Sequence, residues 1–154
     1  MSSLDDLYKE IILDHYRSPR NQGELDHPAH RCEGFNPLCG DEVIVFVSLN
    51  QGVIADIKIG GQGCSISQAS ASMMTEIIKG KSIEEAETII HAFKEMMDIY
   101  ETELSGSEKT DKPKSEIDLG DLEALQGVVK YPVRIKCATL AWNTLTQTLE
   151  EALG

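Results

Sequence analysis

The sequence predicts one α+β domain, a small antiparallel sheet followed by helices. Three observations carry that expectation. Residues 42–60, EVIVFVSLNQGVIADIKIG, are two β-branched runs around Asn50-Gln51-Gly52, a combination that makes a hairpin because glycine supplies the positive φ of a tight connection. From Ser65 onward the apolar residues recur at helical spacing, and strands followed by runs of helices, with no internal repeat, favour α+β over a parallel sheet. At 154 residues the chain matches the usual size of a single domain and can bury a core without disulfide staples.

In chain order, residues 3–16 place Leu4, Leu7, Tyr8, Ile11, Ile12 and His15 on one helical face, with Ser3 as N-cap and acids in the first turn. The stretch to Pro37 is rich in Pro, Gly and Asn and reads as loop, with room for a short strand from His30 to Phe35. After the hairpin, GCSISQASASMMTEIIKGKS opens a helix just past Cys64 that stops at Gly80. Ser82 and Glu85 form a capping box for the next helix, which reads to about Met97. Residues 101–126 are polar and weakly periodic and predict a mobile insertion within the single domain 1–154, followed by a short helical piece. The last segment repeats apolar residues at Val133, Ala138, Leu140, Ala141, Leu145 and Leu149, with Pro132 in the first turn of a long helix.

Composition narrows the function classes. With 26 acidic against 14 basic residues and a formal charge of −12, the chain repels phosphate backbones and anionic bilayers alike, so neither nucleic acid nor membrane is expected as a partner. No apolar run approaches the ~20 residues a spanning helix needs. The opening MSSLDDLYKE lacks a basic start and an apolar core, so no secretory leader is read and the cytoplasm is the expected compartment. There, Cys32, Cys39, Cys64 and Cys137 stay reduced, which turns attention from disulfides to metal binding or thiol chemistry.

Three of these cysteines stand at element ends. Cys39 precedes the first hairpin strand, Cys64 follows the second, and Cys137 lies in the opening turns of the last helix. The outer ends of a hairpin are neighbours, so Cys39 and Cys64 can approach one another. Gly60, Gly61 and Gly63 let backbone come close to Cys64, and the helix that follows presents amides that favour a thiolate. Arg134 and Lys136 supply positive charge beside Cys137. Asp41 completes a set of three thiolates and one carboxylate, suited to a tetrahedral divalent ion, zinc above all. The carboxylate is the hard member among soft ones and marks a ligand that exchanges, as a site that passes something on requires. Cys32 lacks the glycine and helix-end context, and His15, His27 and His30 stand at no recognisable ligand spacing.

The segments PLCGDEV, GQGCSISQASASMMTEIIKGKS and PVRIKCATLAW together resemble the IscU/SufU iron–sulfur cluster assembly proteins, which are related to the N-terminal domain of NifU, and the match runs in order through nearly the whole chain. The resemblance implies a small antiparallel sheet covered by helices on one side and an exposed site at Cys39, Asp41, Cys64 and Cys137. Scaffold members of the IscU type carry His immediately before the last cysteine and lack an insertion near 101–126. This chain has Lys136 and the insertion, as SufU does. Being SufU-like implies a zinc site and a role as sulfur acceptor and accessory sulfurtransferase for a SufS-like cysteine desulfurase, with Cys39 as the attacking thiolate and separate iron–sulfur scaffold proteins downstream. The alternative is a scaffold on which iron and sulfide assemble transiently into a cluster on the same ligands. A zinc-stabilised adaptor and a Cys39–Cys64 redox switch are the non-transfer readings.

Overall fold

The computed structural model describes residues 3–26, 29–37, 40–105 and 119–153. Helix α1 (Ser3–Arg17) leads to three strands, β1 (His30–Asn36), β2 (Asp41–Asn50) and β3 (Val53–Gln62). They form an antiparallel sheet in the order β1-β2-β3. Then come α2 (Ser65–Ile78), α3 (Ile83–Ser105), a 3₁₀ helix (Gly120–Lys130) and α4 (Pro132–Leu153). Among the described residues no helix is long and apolar enough to cross a membrane.

The sheet's two faces follow from the period of two. Val43, Val45 and Val47 of β2 and Ile57 and Ile59 of β3 are buried on one face, across from Cys32 of β1. Helix α4 lies against that face and passes close to β1 where the strand has Gly34. A Cβ there would collide with Thr144 Oγ1 and approach Leu140 to 3.2 Å. Arg31, Glu33, Phe35, Glu42 and Lys58 belong to the opposite face, where the Arg31 guanidinium sits 5.9 Å from the Phe46 ring centre. The far edge is β3, and the chain after α1 blunts it. The Gly23 amide donates to Ile59 O at 2.9 Å and the Ile59 amide to Asn21 O at 3.0 Å. The loop expected there thus adds a short bridge to the sheet.

Helices α2, α3 and α4 close the core, with Phe93 stacked on Trp142 at 4.5 Å between ring centres. Two buried serines of α2 fasten it to its neighbours. Ser70 Oγ donates to Ala138 O of α4 at 2.6 Å and accepts from Trp142 Nε1 at 3.1 Å. Ser72 Oγ accepts from the Arg20 amide at 2.8 Å and meets His15 Nδ1 of α1 at 2.8 Å.

The segment expected to be a mobile insertion is helical at both margins. Helix α3 continues through Ser105, because IYETELS offers no glycine or proline to stop it. At the other end Leu119, Leu122, Leu125 and Val128 are buried at a spacing of three, with the small Ala124 buried beside them. That is the period of a 3₁₀ helix, whose side chains at i and i+3 eclipse, and it is the form taken by the short helical piece expected after the insertion. Residues 106–118, the remainder of that segment, lie outside the described residues.

Candidate metal centre

Asp41 opens β2 opposite Asn36, on the sheet's inward face, and is wholly buried. Its Oδ1 accepts the Cys64 amide at 2.9 Å. Its Oδ2 is buried with no hydrogen-bond partner among the described residues. A native protein seldom leaves a carboxylate oxygen in that condition unless something else completes it. Burial by itself pushes the Asp41 carboxyl up. The Cys64 amide and the nearby side chains of Cys137, Ser67 and Cys64 outweigh burial and hold it below the ordinary carboxylate value.

Cys64 is the N-cap residue of α2 and is half-buried. Its carbonyl accepts from the Gln68 amide at 3.1 Å and from Ser67 Oγ at 3.1 Å, fixing the helix's first turn while leaving the thiol free of any capping role. Cys137, one turn and a half into α4, is buried, and Asn36 Nδ2 stands 3.7 Å from its sulfur. One ligand atom each from Asp41, Cys64 and Cys137 falls within 4.8 Å of the others. Three elements distant in sequence therefore present two sulfurs and one oxygen to a common point. Soft thiolates with a single carboxylate suit zinc, and the buried Oδ2 is the atom such an ion would complete.

Of the residues predicted for this site, the structure brings together Asp41, Cys64 and Cys137, while Cys39 lies outside the described residues. Its described neighbours are at the same end of the sheet: the Gly40 amide donates to Asn36 O at 2.8 Å, beside the Asn36–Asp41 pair. Lys136 is exposed next to buried Cys137. Cys32 is not brought to the site. It is buried along β1 toward the other end of α4, 3.4 Å from Glu151 Oε1, and burial pushes its thiol up. His27 lies outside the described residues, and His15 belongs to a separate group with Glu76 and Asp121.

Two residues of the centre were not singled out from the sequence, and a third was read for a different role. Ser67 and Asn36 contact the ligands, but a serine in a small-residue helix and an asparagine before a proline look like packing and turn chemistry. Gly63 was read as permissive, and its role is more specific. A Cβ there would stand 2.6 Å from Asp41 Oδ1 and 2.5 Å from Ser67 Oγ, so only glycine leaves the carboxylate its place.

Comparison with known proteins follows this geometry. The NifU-like N terminal domain family matches residues 7–138. The zinc-dependent sulfurtransferase SufU of Bacillus subtilis (strain 168) is 46% identical over 153 residues, covering 99% of this chain and 96% of that protein. The iron–sulfur cluster assembly scaffold protein IscU of Streptococcus pyogenes serotype M1 is 39% identical, covering 99% and 88%. A crystal structure from Fervidobacterium islandicum AW-1, described as a candidate iron–sulfur cluster assembly scaffold for the SUF system, superposes with a TM-score of 0.69 at 35% identity, covering 91% of this chain and 94% of that one.

Proposed function

Because this chain belongs to the NifU-like N-terminal domain family, we propose that it is a zinc-dependent sulfurtransferase of iron–sulfur cluster assembly, accepting persulfide sulfur from a cysteine desulfurase. The observation that carries the metal is the cluster of Asp41, Cys64 and Cys137 around a buried carboxylate oxygen with no hydrogen-bond partner among the described residues. Similarity over nearly the full length of a zinc-dependent sulfurtransferase supports the transfer chemistry. Bound zinc holds the cysteine sulfurs as thiolates and so keeps them nucleophilic near neutral pH.

Cys39 is the residue we assign to transfer, with Asp41, Cys64 and Cys137 as the remaining ligands. Its thiolate attacks the outer, sulfane sulfur of the desulfurase persulfide. A new S–S bond forms on Cys39, the donor's S–S bond breaks, and the electron pair leaves with the donor cysteine as a thiolate. No net oxidation occurs, and the persulfide is then passed to a separate scaffold by the same exchange. Lys136 favours this reading over cluster building. An ammonium adjacent to Cys137 contributes no ligand while protonated, so the chain is left with the carboxylate and thiolates alone. The 39% identity to a scaffold protein supports the second reading, assembly of a cluster on the same ligands.

Desulfurase turnover, followed as alanine release from cysteine, distinguishes them when the chain is added as its zinc form, its metal-free form and Cys39→Ala. Strong stimulation by the zinc form alone is the expected result. No stimulation, with a stable visible absorbance on adding iron and sulfide, would replace sulfur transfer with scaffolding.

A further inference from the structure

His15 takes no part in the metal centre, yet it is 1% exposed and joins three elements. Its Nδ1 lies 2.8 Å from Ser72 Oγ on α2, and its Nε2 lies 3.1 Å from Asp121 Oδ2 on the 3₁₀ helix and 3.8 Å from Glu76 Oε1. The surrounding donors decide where the ring proton sits. Ser72 Oγ already receives the Arg20 amide, so its own hydrogen is available to Nδ1. With the ring neutral, Nε2 then bears the proton and donates to Asp121. The opposite tautomer would turn a lone pair toward a carboxylate oxygen at that distance. Glu76 has a cationic neighbour of its own, Arg20 Nε at 3.8 Å, which leaves Asp121 as the acceptor that His15 serves.

The connectivity gives this contact its consequence. Helix α2 begins directly after its N-cap residue Cys64, and its Ser70 and Ser72, two residues apart, hold α4 and α1. The 3₁₀ helix runs directly into α4, whose first turn hangs from Tyr131 O through the amides of Arg134 and Ile135 at 2.7 and 3.3 Å. Cys137 thus lies on a strip of chain held to α2 behind it by Ser70 at Ala138 and secured ahead of it by His15 at Asp121. We infer that His15 is a positioning residue for the metal centre, fixing the 3₁₀ helix to α1 and α2 so that α4 delivers Cys137 to Asp41 and Cys64.

Its meaning for function rests on the zinc-dependent reading above, so the test uses a readout that does not need the metal. The rate of alkylation of Cys137 by iodoacetamide, resolved by peptide mass spectrometry, is measured on the metal-free full chain. The variants are Asp121→Ala, His15→Asn, His15→Gln and, as a control on the same helix, Glu123→Ala. Asparagine can replace Nδ1 toward Ser72 but does not reach Asp121, whereas glutamine extends its amide toward the Nε2 position. Asp121 is exposed, so its replacement leaves the core intact. The expected result is severalfold faster alkylation of Cys137 in Asp121→Ala and His15→Asn, with His15→Gln and Glu123→Ala near the parent rate. Parent-like protection in Asp121→Ala would overturn the inference. So would two zinc ions per parent chain with one lost in Asp121→Ala, because the cluster would then be a ligand set. A parent chain that binds no zinc would sink the functional reading, while the alkylation order would still decide the positioning role.

Discussion

A Cβ on Gly63 has nowhere to go except into Ser67 Oγ and Asp41 Oδ1, at 2.5 and 2.6 Å. Gly63→Ala therefore moves the carboxylate or the first turn of α2, and both belong to the centre. Displacing a group that orients a ligand typically costs about 10–100-fold in metal affinity, and overpacking a close contact costs about 1–3 kcal/mol. Zinc competition against a chelating dye should show the first, and urea unfolding of the metal-free chain the second. An alanine variant that binds zinc as the parent does would mean that Asp41 is not held where the structure has it. At this scale Asp41, Cys64 and Cys137 were legible because their residue types have few other reasons to stand at element ends. Ser67, Ser70 and Ser72 were not, because a buried hydroxyl that hydrogen-bonds to backbone or to a distant element looks, in sequence, like any small helical residue.

Local chemistry explains the elements that were read well. In the β2–β3 turn Gln51 and Gly52 have φ of 54° and 79°, the paired left-handed geometry whose twist matches antiparallel strands. The capping box forms as its spacing requires: the Glu85 amide donates to Ser82 Oγ at 3.1 Å and the Ser82 amide to Glu85 Oε1 at 3.0 Å. Ser82→Ala should cost about 1 kcal/mol, a fall of roughly 2–4 °C in the thermal midpoint for a chain of this size. Zinc affinity should stay at the parent value, since α3 contributes no ligand. Coupled loss of stability and zinc in this variant would show that α3 positions the centre. The element read least well was the 3₁₀ helix, whose spacing of three at Leu119, Leu122, Leu125 and Val128 matches neither template used to scan a sequence, periods of 3.6 or two.

For the whole molecule, the core of sheet, α2, α3 and α4 is assembled from apolar side chains that need no ion. Metal removal should therefore leave a folded chain. Far-UV circular dichroism is expected to persist after chelation, with a cooperative transition at a lower temperature, and zinc at 100 times its dissociation constant should restore about 2.7 kcal/mol. Loss of the fold on chelation would instead make the metal structural. The sequence by itself determined the α+β class, the hairpin, the order of helices and the residue types of the centre, because each rests on periodicity or on chemistry within a few positions. Only the tertiary structure decided that α4 lies along β1 over Gly34, that Asp41 Oδ2 is buried with no hydrogen-bond partner among the described residues, and that His15 meets Asp121 across 106 positions of chain. Those facts depend on where distant backbone segments come to rest, and long-range packing leaves no local pattern from which to read it.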